Sequence, residues 1–267
     1  MRLPTCRAPG WGGELNKVLE TGKHPVSNGY VHMDEEALTK VLTLCQCKVC
    51  GLLQLAGTFS EEELATAVPG WVRYNEPEAH LDEVTELLGR LIVKARGCHV
   101  AGLTYIDESL QERLKLAGWE SQTAIDVVNG ADPVVRCSIE AMLAGVQSGR
   151  WQHGDGKIDL LLARHVLDHT RDTATFFAFI RSCLADGGMV VFEVPSSISD
   201  IEAMNPLLLW ESHAYYFTPC TLLTTLESAG FNVVACRQYM PGGQPVLVVV
   251  CSVGGKHAEK DGWQAVD

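Results

Sequence analysis

The sequence predicts an α/β protein with a doubly wound, mostly parallel sheet, an antiparallel C-terminal edge to that sheet, and a small Cys-rich module at the N-terminus. Strand-like and helix-like segments alternate over residues 98–231, which is typical of parallel strands covered by helices on both faces. The last two apolar runs, 232–240 and 244–253, are joined by a Pro-Gly-Gly turn and predict an antiparallel pair. Four cysteines in the first 50 residues indicate the N-terminal module.

Each element of the main domain has a local signal. Apolar runs predict strands at 98–105, 122–128, 158–167 and 189–195. Apolar spacing and capping residues predict helices at 78–95, 108–118, 174–188 and 218–231. Glycines at or near the ends of the last three helices favour termination, because glycine readily adopts the left-handed conformation. Ser60 and Glu63 form a capping-box pattern that predicts the start of a further helix.

The composition is that of a globular protein, and it argues against some classes of partner. Hydrophobic residues make up 46% of the chain and charged residues 20%. The net charge of −12 argues against a broad nucleic-acid surface, since phosphate binding needs clustered Lys and Arg. No apolar run reaches the length of a membrane span. Six cysteines stand singly, mostly among apolar neighbours, so we expect free thiols and a cytoplasmic location.

Residues 157–195 give a strand, a His-x-x-x-His loop, a helix and a strand that ends in Glu-Val-Pro. This order resembles the second half of a class I S-adenosylmethionine-dependent methyltransferase. The Cys-x-x-Cys-Gly-Leu-x-Gln motif at 47–54 and the His-containing segment at 210–219 are similar to the C-methyltransferases that act on nucleotide-linked keto-sugars. The resemblance covers nearly the whole chain, and it implies a Rossmann-like methyltransferase fold, an S-adenosylmethionine cofactor and a structural zinc.

The resemblance also suggests a division of the chain and an activity. The parts are a zinc-binding module at 1–57, a helical linker or cap at 58–97, a methyltransferase-like domain at 98–254 and a polar tail at 255–267. The implied activity is methylation of a keto-sugar or a similar carbon acid, with a small molecule as the partner. The alternative is a catalytically inactive homologue that acts as a binding or structural subunit for a protein partner. A redox or metal-handling protein has no supporting site outside the cysteines.

The cofactor loop follows the first strand of the main domain in the family. There the strand ends in Glu-x-Gly-x-Asn-Asp-Gly, but here Gly102 stands at the acidic position, Thr104 at the first glycine and Glu108 at the last. Glycine suits such a loop because a side chain would occupy ligand space, and because tight turns often need a positive φ. Glu108 would also place a negative charge near the cofactor's carboxylate. We therefore expect S-adenosylmethionine to bind weakly or not at all.

The candidate cofactor-binding residues are Thr104, Asp107, Asp126 and His165. Asp126 ends the second strand, where an acidic residue in this fold accepts hydrogen bonds from ribose hydroxyls. The other interpretation of Asp126 is a solvated loop aspartate. Asp107 is either a remnant of the cofactor loop or the N-cap of the following helix. His165 lies in the loop that the family places beside the cofactor.

The resemblance implies one structural zinc in the N-terminal module. The candidate ligands are Cys6, Cys47 and Cys50, with Cys45 or His24 as the fourth. A Cys-x-x-Cys pair suits tetrahedral zinc, but the first pair of the family is broken because Pro9 stands where the partner of Cys6 belongs. The alternative is a module that has lost its metal and packs by its apolar residues.

His213 is the candidate catalytic residue. The family uses a histidine here as the base that removes the proton alpha to a carbonyl, and the pKa of histidine suits that task near neutrality. Ser212 replaces the glutamate that orients this histidine in the family, and it offers only a weaker hydrogen bond. The other interpretation is a half-buried histidine packed by Trp210 and Tyr216. We do not expect His165 and His169 to bind a metal without a third ligand.

The candidate substrate contacts are Tyr74, Asn75, His80 and Tyr216. The first three lie in a polar, aromatic segment between the module and the main domain, and the corresponding family region helps to cover the substrate. The alternative is an ordinary linker and helix start, with Pro77 near the first turn.

Overall fold

The computed structural model describes residues 5–25, 32–34, 36–37, 39–56, 75–92, 98–119, 121–124, 139–148, 158–206 and 209–254. The strands are β1 Leu15–Glu20, β2 His24–Pro25, β3 Thr39–Lys40, β4 Thr43–Cys47, β5 Leu53–Leu55, β6 His99–Gly102, β7 Ser121–Ala124, β8 Ile158–Arg164, β9 Leu184–Pro195, β10 Tyr215–Tyr216, β11 Asn232–Tyr239 and β12 Val246–Ser252. The helices are α1 Leu81–Leu91, α2 Glu108–Leu116, α3 Ile139–Gln147, α4 Thr173–Cys183, α5 Ile198–Glu202 and α6 Pro219–Ser228.

The main sheet has six strands in the order β11-β12-β9-β8-β6-β7. The strands β7, β6, β8 and β9 run parallel to one another. In contrast, β12 runs antiparallel between β9 and β11. This topology confirms the predicted parallel sheet with an antiparallel C-terminal edge.

Helices cover both faces of this sheet, and the residues of β8 alternate between the two faces. Leu160 and Leu162 pack in one buried cluster with residues of α1 and α2. Leu161 and Ala163 pack in a second cluster with residues of α3, α4 and α6. Burying one such leucine contributes about 1.5–3 kcal/mol to stability. Packing on both faces therefore stabilises β8 inside the sheet.

A second sheet joins the Cys-rich module to the main domain. Its order is β1-β4-β5-β10, and all three pairs are antiparallel. The first three strands come from the module, whereas β10 follows His213 in the chain. Tyr216 of β10 pairs with Leu53 of β5, so the segment that carries His213 is held by the module.

Three features differ from the sequence-based predictions or lie beyond them. The helix predicted at 174–188 ends at Cys183, because Leu184 turns to an extended conformation and begins β9. The helix α3 was not predicted. The helix predicted from Ser60 falls outside the described residues. Among the helices that the structure describes, none has the length and apolar character needed to cross a membrane.

Candidate functional site

Four charged or titratable side chains meet at the carboxyl ends of the central strands. Arg164 ends β8, is fully buried, and donates from Nε and Nη2 to the two carboxylate oxygens of Glu193, at 2.9 and 3.2 Å. The imidazoles of His165 and His80 lie 2.9 and 3.2 Å from the same carboxylate. Burial raises the pKa of Glu193, but these imidazoles and the Arg164 guanidinium outweigh it and hold that pKa well below its usual range.

His165 has a strained backbone at this edge of the sheet. Its φ is +51°, in the left-handed region that residues other than glycine rarely adopt, and such strain is most common at functional sites. Burial lowers the pKa of His165, but its hydrogen bond to Glu193 and the charge of that residue outweigh burial, so the pKa is raised. The imidazole of His165 is therefore part of the buried network around Glu193.

The turn after β6 is closed by the carboxylate of Asp107. This carboxylate accepts the backbone N–H groups of Leu103 and Thr104 at 2.9 and 3.0 Å, and that of Arg164 at 3.1 Å. Burial raises the pKa of Asp107 to about 6, although the charge of Arg164 and the hydrogen bonds oppose this shift. Asp107 also occupies the N-cap position of α2, but its side chain makes no capping hydrogen bond there.

The conformation of this turn corrects one expectation from the sequence. Thr104 is extended, with φ at −137°, and Glu108 is helical, with φ at −54°, so neither position requires glycine for its backbone conformation. The Thr104 hydroxyl turns inward and accepts the N–H of Ile106 at 3.3 Å. Glycine is needed instead at Gly102, where a Cβ atom would lie 2.6 Å from the Cβ of Asp107. The side chain of Asp107, at the other end of the turn, therefore fills the space beside residue 102, where the family has its acidic residue.

An acidic cavity of about 370 Å³ lies between this turn and the segment before α1. Its lining residues are Asn75, Glu76, Glu78, Tyr105, Ile106, Glu108, Ser109 and Glu112. Asn75, a predicted substrate contact, is therefore beside the turn. His80 is not among the lining residues, because it is buried against Glu193. Tyr74 and Asp126 fall outside the described residues.

His213 lies beside a buried carboxylate that the sequence analysis did not identify. Its Nε2 is 3.4 Å from Oδ2 of Asp168, and Nε2 of His169 is 3.7 Å from the same oxygen. Both carboxylate oxygens of Asp168 are buried without a hydrogen-bond partner among the described residues. The ring of His213 packs edge-on against Trp210 at 4.7 Å, and its side chain is 18% exposed.

The predicted substrate contact Tyr216 uses its hydroxyl inside the same segment. The hydroxyl donates to the carbonyl of Trp210 at 3.2 Å and accepts its N–H at 3.1 Å. Burial raises the pKa of Tyr216, so the hydroxyl is protonated at neutral pH. Tyr216 therefore shapes the 210–216 turn that carries His213.

Three thiols of the module form a compact cluster. Cys6, Cys47 and Cys50 have sulfur atoms within 4.8 Å of one another, which suits three ligands of one tetrahedral metal. The backbone N–H groups of Val49 and Cys50 point at the Cys47 sulfur, at 3.4 and 3.5 Å. Gln54 Nε2 donates to the Cys6 sulfur at 3.1 Å. The residues present therefore fit a metal with three thiolate ligands.

The two other ligand candidates lie outside this cluster. Among the described residues, neither Cys45 nor His24 joins the three thiols. Cys45 is instead buried on β4 opposite Gln54, and Nδ1 of His24 lies 3.5 Å from the hydroxyl of Thr21. All nine cysteines in the described part of the chain are free thiols.

Comparison with known proteins identifies the fold. A family model described as a methyltransferase domain matches residues 114–236. The crystal structure of a Burkholderia thailandensis 1,6-didemethyltoxoflavin-N1-methyltransferase, with bound 1,6-didemethyltoxoflavin and S-adenosylhomocysteine, is similar with a TM-score of 0.50 at 16% identity, over 88% of this chain and 100% of that one. The [4+2]-cyclase SpnF matches with a TM-score of 0.46 at 13% identity, over 73% of this chain and 92% of that one. No curated protein sequence matches the chain. The chain therefore has the Rossmann-like fold of the S-adenosylmethionine-dependent methyltransferases, preceded by a Cys-rich antiparallel sheet.

Proposed function

We propose that this protein is an S-adenosylmethionine-dependent C-methyltransferase that acts on a keto-sugar or a similar carbon acid, with His213 as the catalytic base. The observation that carries the proposal is the position of His213, whose Nε2 lies 3.4 Å from a buried carboxylate. In open α/β sheets ligands bind at the carboxyl ends of the strands, and the loop that bears this carboxylate follows β8 at that edge.

The chemistry assigned to His213 is removal of the proton alpha to a carbonyl. A base is needed because the substrate carbon becomes nucleophilic only after this proton has left. The cofactor supplies the methyl group when it is bound. The partial exposure of His213 supports this role, because a base must reach both its substrate and its own orienting partner.

The turn after β6 supports cofactor binding, although it lacks the glycines of the family. Thr104 and Asp107 direct their side chains inward, so the outer surface of the turn is not filled by them. The residues that would hold the cofactor are Thr104 and Asp107, through the backbone of this turn, together with His165 and Asp126. The exposed Glu108 carries a negative charge at the end of the turn, and we expect it to weaken binding.

The module is proposed to hold one structural zinc through Cys6, Cys47 and Cys50. Zinc bound to such a module contributes directly to its folding free energy. Because β10 completes the sheet of the module, we expect zinc to stabilise the His213 segment as well.

A catalytically inactive homologue is the second candidate, and two observations favour it. The side chains of Asp107 and His165 are both committed to buried internal partners, so neither is directed toward a ligand. The ring of His213 also packs against Trp210, as a structural histidine would. Such a protein would serve as a binding or structural subunit.

Two measurements separate these candidates. Calorimetry tests whether S-adenosylmethionine binds, and release of S-adenosylhomocysteine is then followed with a panel of nucleotide-linked keto-sugars. The enzyme should bind the cofactor and release the product with at least one member of the panel. Absence of any cofactor binding, in zinc-loaded and correctly folded protein, would leave the inactive homologue as the function.

A further inference from the structure

The loop after β8 supplies the carboxylate that the neighbour of His213 lacks. Ser212 cannot act as a charged partner of the histidine, and the nearest carboxylate along the chain is that of Glu211, two positions before it. In the folded chain Oδ2 of Asp168 lies 3.4 Å from His213 Nε2, although the two residues are 45 positions apart. We infer that Asp168 is the positioning residue of His213, an inference that rests on the proposed function.

Backbone hydrogen bonds also hold the Asp168 loop against the segment that carries His213. The carbonyl of Asp168 accepts the N–H groups of Ala214 and Tyr215, at 2.6 and 3.1 Å. These two residues follow His213 directly. The two loops are therefore joined directly after the histidine, and this holds its imidazole close to the Asp168 carboxylate.

The carboxylate of Asp168 needs a charged or polar partner. Both of its oxygens are buried and make no hydrogen bond to other described residues. Burying an unpaired carboxylate is costly, and an adjacent imidazole that donates a proton offsets that cost. Asp168 therefore favours an N–H on Nε2 of the imidazole that faces it, and it stabilises the imidazolium formed when that imidazole accepts a second proton.

This arrangement determines which nitrogen of His213 acts as the base. A neutral imidazole carries one N–H and one basic nitrogen, and the partner of one nitrogen sets the state of the other. If Nε2 donates to Asp168, Nδ1 is the atom that accepts the substrate proton. This is the relationship of a catalytic base to its orienting carboxylate, in which the carboxylate holds the tautomer and itself stays ionised.

His169 shares the same carboxylate but is less suited to the task. Its Nε2 is farther from Asp168, at 3.7 Å, and its side chain is 6% exposed against 18% for His213. The two rings pack edge-on at 4.8 Å. His213 is therefore the member of the pair that can reach a substrate, whereas His169 packs behind it.

The competing use of this cluster is a metal site. One carboxylate and two imidazoles within 4.8 Å could also bind a divalent cation, as in non-haem iron centres. A cation would take the Nε2 lone pairs, which requires the opposite tautomer of His213. The tautomer of His213 is therefore the property that separates the two uses.

The test is nitrogen-15 NMR of the histidine side chains in the full chain, assigned with H213Q and recorded at about pH 8, above the ordinary pKa of imidazole. We expect His213 to carry its proton on Nε2 in the wild-type protein, to lose this preference in D168N, and to keep it in the matched control S212A. D168E should restore it in part. Thermal unfolding of each variant shows that the fold is retained.

Methyl transfer adds a second readout. D168N should lower kcat roughly tenfold or more while KM for the acceptor changes less than about twofold, because positioning acts on the transition state. The tautomer of His213 is measured without cofactor or acceptor. It therefore tests the role of Asp168 even if no turnover is found and the proposed function is wrong. An unchanged His213 tautomer in D168N would overturn the inference. Tight binding of Co²⁺ to the C47S protein would also overturn it, if the further substitution D168N abolishes that binding.

Discussion

The Asp107 carboxylate accepts the backbone N–H of Arg164 at 3.1 Å, and this hydrogen bond joins the turn after β6 to the end of β8. The Arg164 side chain then continues to Glu193 at the end of β9. Three strand ends are therefore tied together by buried polar groups, which are costly unless each is paired. This network makes the stability of the protein depend on pH.

We expect the protein to be more stable at about pH 5.5 than at about pH 8. The pKa of Asp107 is raised from 3.8 to about 6, and the pKa of His165 is raised above 6.5. A raised pKa contributes stability that is present at low pH and is lost as the pH rises through the folded-state value. The pKa of Glu193 is lowered, so its contribution is lost only at a pH well below this range. Unfolding followed by calorimetry at several pH values measures the effect.

D107N is the control for the pH prediction. An asparagine keeps the size of the side chain but cannot titrate, so the difference in stability between the two pH values should shrink by about 1 kcal/mol. An equally steep dependence in D107N would show that other groups cause it.

Glu193 should be essential for stability. E193Q leaves the Arg164 guanidinium buried without the negative charge of residue 193, and breaking a buried pair in this way costs about 3–5 kcal/mol. Urea denaturation measures the loss. The matched control is E86Q, because Glu86 pairs with Arg90 at 4.0 Å on the exposed surface of α1 and should contribute little. Equal effects of the two substitutions would contradict the structural role of the network.

Zinc binding should depend on the three clustered thiols. Metal analysis should find one zinc per chain, C47S should lose it and destabilise the module first, and C45S should retain it because Cys45 lies outside the cluster. A zinc content well below one per chain, after expression with zinc supplied, would contradict the site.

The first turn of the module suggests a gain of function. Gly10 and Gly51 have φ values of +75° and +74°, so Cys6-x-x-Pro9-Gly10 and Cys47-x-x-Cys50-Gly51 end in the same way. P9C should therefore add a fourth thiolate and raise the affinity for zinc, which competition with a chelator measures. Unchanged affinity would show that the first turn directs residue 9 away from the metal.

Glu108 should weaken cofactor binding by its negative charge, since its helical backbone is not strained by the absence of glycine. We expect S-adenosylmethionine to bind with a Kd above the low micromolar range, which corresponds to about −8 kcal/mol. E108Q should tighten binding, and calorimetry measures both values. E112Q is the control, because Glu112 lines the same cavity one turn farther along α2. An equal gain from E112Q would mean that the whole acidic cavity, and not residue 108, opposes the ligand.

Local patterns predicted the elements well, whereas contacts between distant residues could not be predicted. Capping residues and apolar spacing predict a helix at 218–231, and in the structure Thr218 caps α6 by accepting the N–H of Thr221. The pairing of Tyr216 with Leu53 involves strands of two and three residues, which leave no periodicity to detect. The role of Asp168 is hidden in the sequence for a related reason, since an aspartate beside a histidine is common and only the fold brings it to His213.

His213 decides between enzyme and inactive homologue. H213A should abolish release of S-adenosylhomocysteine if His213 is the base, because the neighbouring imidazole of His169 is only 6% exposed and packs behind it. The ring packs against Trp210 and His169, at 4.7 and 4.8 Å, so the same substitution should also cost roughly 1–3 kcal/mol of stability. The control is W210F, which keeps an aromatic neighbour and should lose a similar amount of stability but retain turnover. A folded H213A protein with unchanged methyl transfer would remove His213 from the mechanism. Loss of stability in both variants, without turnover in the wild-type protein, would assign the histidine a structural role.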